Sequence, residues 1–352
     1  MPQKPPFYPG KARFLAARAQ AEPRHCSASI VDTLGVRVTR SKAAVASRLV
    51  VIASRLSAVA ACLAGSASWP LQPSPILQPS TWQSAAAHAA RLAPQARILV
   101  LDEPTGRLLA SSHLAEAART LATPGSTLKP LALYGLVAAG RWDPSRRVAC
   151  SRTLRIAGHS LACSHPPADP MDARQALTWS CNTYFAAVAA TLKPGDLRAL
   201  LAPSGLLALT GLASVPEAMA EFRAPRTPDQ LRLALLGVDG VRITPLELAA
   251  AYRWLAVQLA AHPGSPAAQG VQAGLADSAS FGMAGAASLG GVPVAGKTGT
   301  ADLNRGSHGW FVGLAPASAP RVIVAVYLPA GRGADAARVA AELLAHSPLR
   351  QP

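Results

Sequence analysis

TPGSTLKP (residues 123–130) places Ser126 three positions before Lys129. The proline and glycine before the serine mark a helix start, so we expect a helix from near Ser126 to Gly140 at the latest. Lys129 then lies one turn after Ser126, on the same helical face and within reach of its hydroxyl. A serine at a helix N-terminus has an exposed hydroxyl whose developing alkoxide is favoured by the helix dipole. The stretch therefore predicts a nucleophile with a basic neighbour.

Lysine is rare in the body of this chain, which makes the lysine at position 129 informative. After residue 55 the sequence has 24 basic residues, of which only Lys129, Lys193 and Lys297 are lysines. A desolvated ammonium can lose its proton, whereas a guanidinium cannot. A buried Lys129 with a lowered pKa would supply the base that an unactivated serine hydroxyl needs.

A second motif, S-x-N, is formed by Ser180, Cys181 and Asn182. We expect Ser180 to lie on a turn between two helical segments and to relay a proton to a leaving nitrogen. Asn182 is expected to hold a substrate amide. Cys181 is an unusual middle residue, and we interpret it as a buried apolar filler, with a reactive thiol as the alternative.

A third motif, K-T-G-T, is formed by Lys297, Thr298, Gly299 and Thr300. Its lysine and the two threonine hydroxyls predict an electropositive edge for a carboxylate, on a strand that can pair with an extended peptide. An acyl-enzyme at Ser126 needs two backbone N–H donors for its oxyanion. We expect these donors to be the amides of Ser126 and Thr300.

Each motif alone is common, but their order and spacing together are specific. The spacing is 54 residues from Ser126 to Ser180 and 117 residues from Ser180 to Lys297. In this arrangement they resemble the penicillin-binding protein and serine β-lactamase superfamily. Three longer stretches are also similar to its transpeptidase domain: VRITPLELAAAY (241–252), AGKTGTA (295–301) and HGWFVGLAP (308–316). The resemblance covers about residues 95–348.

The resemblance implies a fold, a reaction and partners. The implied fold is α+β, a five-stranded antiparallel sheet flanked by helices on both faces. The implied reaction is acyl transfer at a D-alanyl-D-alanine peptide of peptidoglycan, without cofactor or metal. By motif, Ser126 is the nucleophile, Lys129 the general base and Ser180 with Asn182 the second element, while K-T-G-T binds the carboxylate. The implied ligands are peptidoglycan stem peptides and β-lactam antibiotics, and envelope proteins are further partners.

Related functions use the same residues, and the sequence leaves them open. A D,D-carboxypeptidase differs only because water, and not an amine, attacks the acyl-enzyme. A class A β-lactamase uses a glutamate in an E-x-x-L-N loop; Glu217 lies in a suitable region, but PEAMAEF (216–222) lacks that pattern. A non-catalytic binding or sensor module that captures stem peptides or β-lactams is the alternative from another class.

The charge distribution disfavours a nucleic-acid-binding module. The net charge is +16, and residues 1–55 alone contribute ten basic and two acidic groups. The remaining excess is spread over about 300 residues, which suits an anionic surface and forms no dense basic stripe. LVLDEPTG (99–106) is similar to the acidic strand of an ATP-binding-cassette ATPase, but neither Lys129 nor Lys297 lies in a phosphate loop. Nucleotide hydrolysis is therefore disfavoured as well.

The N-terminal region predicts export. Residues 1–48 are expected to be disordered, and residues 49–68 have the basic flank, short apolar stretch and small-residue end of a secretory signal. VAAC (59–62) also resembles a lipobox, so Cys62 is either a lipid-anchor site or an ordinary small residue of the signal. A true start near Val50 is an alternative. We expect a periplasmic or extracytoplasmic product, secreted or membrane-anchored.

Two cysteines, Cys150 and Cys163, flank a predicted hairpin that brings their sulfurs together. In an oxidising compartment this arrangement favours a disulfide. With His159 and His165 nearby, a zinc site is the competing interpretation, although the spacing matches neither C-x-x-C nor H-x-x-x-H. Two reduced thiols are the third alternative.

Local patterns predict the order of the remaining elements. Residues 69–94 are a Pro-rich linker with a helix over 79–92, and residues 194–243 are expected to be irregular. Compared with the family, residues 194–240 look compressed, which predicts a shallow or altered substrate cleft. The predicted strands are 97–102, 107–111, 292–301, 309–314 and 321–328. The further predicted helices are 172–193, 244–262 and 334–346. This order predicts one sheet assembled from both ends of a catalytic domain at 95–348.

The helix predicted over 244–262 has the clearest local signal. Thr244 is its expected N-cap, Pro245 occupies the first position, and Glu247 is placed to close a capping box.

Overall fold

The computed structural model describes residues 78–166, 170–302 and 306–350. The helices are α1 (Pro79–Leu92), α2 (Leu114–Ala117), α3 (Lys129–Ala138), α4 (Ala173–Thr178), α5 (Asn182–Ala189), α6 (Asp196–Leu201), α7 (Pro228–Leu235), α8 (Pro245–Ala261), α9 (Pro266–Ser280) and α10 (Gly333–Ala345). The strands are β1 (Arg97–Asp102), β2 (Leu108–Ser112), β3 (Thr153–Ile156), β4 (His159–Ala162), β5 (Glu221–Phe222), β6 (Val241–Arg242), β7 (Ala295–Asp302), β8 (Ser307–Ala315) and β9 (Val322–Leu328). The predicted leader, signal and lipobox, with most of the linker, lie outside the described residues.

The central sheet has five antiparallel strands in the order β2-β1-β9-β8-β7. The first two strands of the domain pair with the last three, which confirms the expected assembly from both ends of the chain and the predicted fold class. The strand that carries K-T-G-T, β7, lies at one edge and is paired only with β8 in this sheet. An edge strand leaves backbone groups available to an added peptide strand.

Both faces of the sheet are buried against helices. On β1, Ile98 and Val100 face a core shared with α1 and α10, whereas Leu99 and Leu101 face a second core shared with α8. This alternation follows from the two-residue period of a strand. Burying each of these side chains contributes about 1.5–3 kcal/mol, so the apolar run at 97–102 stabilises both layers.

The capping of α8 agrees with the prediction. Glu247 N donates to Thr244 Oγ1 over 3.1 Å, and Thr244 N donates to Glu247 Oε2 over 2.7 Å. Glu247 also accepts a hydrogen bond from Ala220 N, which ties the preceding segment to this helix.

Among the described residues, every helix is too short or too polar to span a membrane.

Two local predictions need correction, and a third is confirmed. The segment 194–243 is not irregular throughout, because α6 and α7 form within it and Thr227 caps α7 by accepting from Gln230 N. The helix expected from Ser126 starts as a 3₁₀ turn, Gly125–Leu128, and continues as α3. The helical stretch over 172–193 is interrupted between α4 and α5, where the predicted turn at Ser180 forms.

Candidate active site

The 3₁₀ turn Gly125–Leu128 holds Ser126 against the K-T-G-T strand, with the serine partly exposed. Gly125 has φ +56°, and a Cβ there would lie 2.9 Å from Thr300 O and 3.1 Å from Thr300 N. Only glycine allows this approach without displacing the strand. The contact brings Ser126 to the strand on which the second oxyanion donor was predicted.

Backbone carbonyls on either side of Ser126 are fixed by buried side chains. Thr123 O accepts hydrogen bonds from His308 Nε2 over 2.8 Å and from Trp310 Nε1 over 2.9 Å. Thr127 O accepts from Tyr252 OH on α8 over 2.9 Å. Burial lowers the pKa of His308, which favours the neutral ring that donates from Nε2. None of these three side chains has a role that the sequence predicted, although each lies in a stretch that resembles the family.

Replacing Tyr252 with phenylalanine is expected to lower the free energy of unfolding by about 1–2 kcal/mol, because Thr127 O then stays buried without its donor. Chemical denaturation measures this change. Tyr134→Phe is the matched control, since its hydroxyl makes no hydrogen bond among the described residues. Equal effects of the two substitutions would contradict a stabilising hydrogen bond from Tyr252 OH to Thr127 O.

Lys129 is fully buried and lies between the first and second motifs. Its Nζ donates to Ser180 O and Asn182 Oδ1, each over 2.8 Å, and lies 3.4 Å from Ser180 Oγ. Burial lowers the pKa of Lys129 to about 8, partly opposed by the neighbouring Cys163 and Cys181 thiols. At neutral pH roughly a tenth of such an amine is unprotonated, enough for a base one turn from Ser126.

The second motif has a constrained backbone. Ser180 adopts φ +56°, a left-handed conformation uncommon for a residue with a Cβ. Asn182 begins α5, and its Nδ2 donates to Ala162 O on β4 over 3.1 Å. Asn182 therefore connects Lys129 to the β3–β4 hairpin, while Ser180 presents its hydroxyl on the Lys129 side.

The third motif is more enclosed than expected. Lys297 is fully buried, and its Nζ donates to Thr298 O over 3.0 Å. Burial, reinforced by the charge of Lys129, lowers the pKa of Lys297 well below its usual value. Thr298 Oγ1 donates to Met283 O over 3.3 Å, and Thr300 Oγ1 accepts from Gly333 N over 2.9 Å. The predicted electropositive edge thus lies within the protein, with both hydroxyls already hydrogen-bonded.

The family model of the penicillin-binding protein transpeptidase domain matches residues 96–346 of this chain. The chain belongs to this family.

Several solved structures share its fold. The transpeptidase domain of Burkholderia pseudomallei penicillin-binding protein 3 is 21% identical, with a TM-score of 0.67 over 79% of this chain and 98% of that one. A peptidoglycan glycosyltransferase from Burkholderia ambifaria is 21% identical, with a TM-score of 0.66 over 76% and 94%. Pseudomonas aeruginosa PBP2 is 24% identical, with a TM-score of 0.60 over 76% and 73%.

The predicted disulfide of this transpeptidase-family domain is absent from the structure, because Cys150, Cys163 and Cys181 are all free. The β3–β4 hairpin does bring Cys150 and Cys163 together, as expected. Cys181 and His165 also lie beside them, so the geometry does not select one pair of sulfurs for a disulfide. A hydrogen bond from Cys181 and the backbone amides of Thr183 and Asn182 lower the pKa of Cys163 to about 4, against the effect of burial.

Proposed function

We propose that this protein is a serine D,D-transpeptidase-like acyltransferase that acts on peptidoglycan stem peptides through an acyl-enzyme at Ser126. One observation carries the proposal: a fully buried amine, Lys129, lies one turn after this serine and hydrogen-bonds Ser180 and Asn182. A lysine desolvated in this way is a base suited to activating a hydroxyl.

Acylation would begin with the unprotonated form of Lys129. Ser126 Oγ forms a bond to the carbonyl carbon of the penultimate D-alanine, and its proton passes to Lys129 Nζ. The carbonyl electron pair moves onto the oxygen, where the N–H groups of Ser126 and Thr300 stabilise the negative charge. The contact of Gly125 with Thr300 supports this pairing of donors.

The tetrahedral intermediate would collapse by breaking the C–N bond to the terminal D-alanine. The leaving nitrogen takes a proton from Ser180 Oγ, which regains one from Lys129 Nζ at 3.4 Å. By motif, Lys297 is assigned to the terminal carboxylate. It is buried on the edge strand β7, which can pair with the peptide, and the negative charge of a bound carboxylate would favour its protonated form. An acceptor amine then attacks the ester and releases Ser126.

The same chemistry allows two other outcomes. In a D,D-carboxypeptidase, water replaces the acceptor amine with no change of protein residues. In a class A β-lactamase, a glutamate activates water, but the Glu217 carboxylate accepts hydrogen bonds from Thr210 N and Thr210 Oγ1. Glu217 therefore closes a local loop, which disfavours a role as the deacylating base.

Fluorescent penicillin tests the proposal. The purified protein is expected to form a covalent adduct on the peptide that contains Ser126, as detected by gel fluorescence and peptide mass spectrometry. Ser126→Ala should abolish the adduct, whereas Ser84→Ala, at an exposed helical serine, should retain it. Folded protein without an adduct would favour the non-catalytic binding module. A label lost within seconds would favour the β-lactamase.

The rate of penicillin acylation is expected to rise with pH. Because the reactive form of Lys129 is unprotonated and its pKa is lowered to about 8, the rate should increase about tenfold per pH unit below that value and level off above it. Stopped-flow acylation from about pH 6 to about pH 9 measures the profile. A rate that is constant across this range would contradict Lys129 as the base.

The proposed substrate also implies where the protein acts. Peptidoglycan stem peptides lie outside the cytoplasm, so we propose that the protein acts in the periplasm or extracytoplasmic envelope. Export through a signal within residues 49–68, with or without a lipid on Cys62, is part of this proposal. Mass spectrometry of the mature N-terminus distinguishes cleavage alone from lipidation.

A further inference from the structure

Four metal-ligating side chains converge directly behind the second motif: Cys150, Cys163, Cys181 and His165. Their sulfur and nitrogen atoms all lie within 4.8 Å of one another. Cys163, Cys181 and His165 are buried, Cys150 is partly buried, and all three thiols are free. Packing alone does not require three thiols and an imidazole to face one point.

The spacing of these atoms fits a tetrahedral zinc site. Zn–S bonds of about 2.3 Å and Zn–N bonds of about 2.0–2.1 Å give ligand–ligand distances of about 3.6–3.8 Å. Cys150 Sγ lies 3.5 Å from His165 Nε2, close to that value before any ion is bound. The four ligands come from segments already fixed by the β3–β4 hairpin and by α5, so binding needs only small side-chain movements.

The imidazole of His165 is oriented as a ligand. Its Nδ1 lies 2.6 Å from Pro166 O and 3.2 Å from Arg152 Nη1. The shorter contact favours a proton on Nδ1, donated to the carbonyl, which leaves the Nε2 lone pair directed at Cys150 Sγ. A hydrogen bond from the second ring nitrogen to a carbonyl is the usual outer-shell support of a metal-bound histidine.

The surroundings also suit thiolates. Cys150 Sγ accepts from Arg152 N over 3.4 Å, and Cys163 Sγ accepts from Asn182 N over 3.3 Å. Three thiolates and one zinc ion carry a net charge of −1, and the Arg152 guanidinium lies beside His165 to balance it.

We propose that Cys150, Cys163, Cys181 and His165 bind one zinc ion. Three soft sulfur ligands with one imidazole are typical of structural zinc and not of the oxygen-liganded divalent cations. The thiols that are still protonated release their protons to solvent when the ion binds. A disulfide would use only two of the sulfurs and leave His165 without a role.

The ion would also position the second catalytic motif, a consequence that rests on the proposed function. Cys181 lies between Ser180 and Asn182, the two residues that accept hydrogen bonds from Lys129. Fixing its sulfur holds the left-handed turn at Ser180 between α4 and α5. Cys181 is thus a positioning residue, with its side chain buried in the cluster.

Metal analysis of the full-length protein, purified without chelators, tests the site. We expect one equivalent of zinc per chain, and at least a tenfold loss of bound zinc in Cys163→Ser and His165→Ala. His346→Ala should keep its zinc, although it alters a second cluster of possible ligands, the partly exposed His88, Glu342 and His346. Cys26→Ser with Cys62→Ser should also keep it. Zinc absent from the wild type, or equally bound by all variants, would overturn the proposal.

Cobalt substitution gives a readout that does not depend on the stability of the variants. Wild-type protein loaded with Co²⁺ should show the intense absorption of tetrahedral cobalt and a sulfur-to-cobalt charge-transfer band. A weak octahedral spectrum, or a Cys150–Cys163 disulfide found by mass spectrometry of the protein as isolated, would overturn the proposal.

Penicillin acylation, measured in parallel, separates this proposal from the proposed function. Removing zinc should slow acylation about 10- to 100-fold, as expected for a misplaced catalytic motif, and adding zinc should restore the rate. Ser126→Ala should hold zinc normally without being acylated. Zinc binding by a protein that never acylates would refute only the proposed function. Full acylation of a protein that binds no zinc would refute only the metal site.

Discussion

Lys129→Met is expected to slow penicillin acylation about 10³-fold, the largest kinetic effect that the structure predicts for a residue other than the nucleophile. Methionine fills the volume of the buried side chain but cannot accept the proton of Ser126. Lys129→Arg should lose activity to a similar extent, because a guanidinium does not deprotonate and is larger than the fully buried pocket accommodates.

Stopped-flow fluorescence with a labelled penicillin measures both variants against Lys193→Met. Of the three lysines after residue 55, Lys193 is the one that lies outside the motifs, and its side chain is exposed. This control should acylate at the wild-type rate. A Lys129→Met rate within threefold of wild type, with circular dichroism unchanged, would remove Lys129 from the mechanism.

Gly237→Ala is expected to lower the free energy of unfolding by about 2–4 kcal/mol and to displace the nucleophile. Gly237 has φ +69°, and a Cβ there would overlap the Gly125 carbonyl oxygen and lie 2.7 Å from Gly125 N. Gly125 N already donates to Gly237 O over 3.0 Å, so the two backbones have no room to separate without losing this bond.

Gly205→Ala separates the cost of a left-handed backbone conformation from the cost of the steric overlap with Gly125. Gly205 has a similar φ of +73°, but a Cβ there meets nothing within 4 Å. It should therefore show only the conformational cost, about 1–2 kcal/mol, and keep its acylation rate. Denaturant melts and acylation rates of both variants provide the comparison. Equal losses at the two positions would mean that contact with Gly125 does not hold Ser126 in place.

Features encoded locally could be predicted from the sequence. Thr244 and Glu247 form their capping box within four residues, and the apolar run at 97–102 forms a strand buried on both faces. The order of the motifs predicted that Ser126, Lys129 and Lys297 belong to one site, and the structure brings them to one edge of the sheet.

Features that depend on distant contacts could not be predicted in the same way. Helix α9 has no wide apolar stripe, because it packs through small residues; a Cβ on Gly274 would lie 2.7 Å from Leu177 Cβ. The sequence offered a zinc site at Cys150, Cys163 and a nearby histidine as an alternative, but Cys181 was missed, since it reaches the other two sulfurs only after α5 packs beside the hairpin. Spacing along the chain carries no signal for such a convergence.

The position of β1 within the sheet has a consequence for biosynthesis. Residues 97–102 are made early, yet one of their two partner strands is β9, residues 322–328. Until those residues leave the ribosome, a strand that is apolar on both sides has an uncovered edge. The sheet therefore cannot close around β1 until residues 322–328 have been made, which exposes the nascent chain to aggregation and gives holdase chaperones a binding segment.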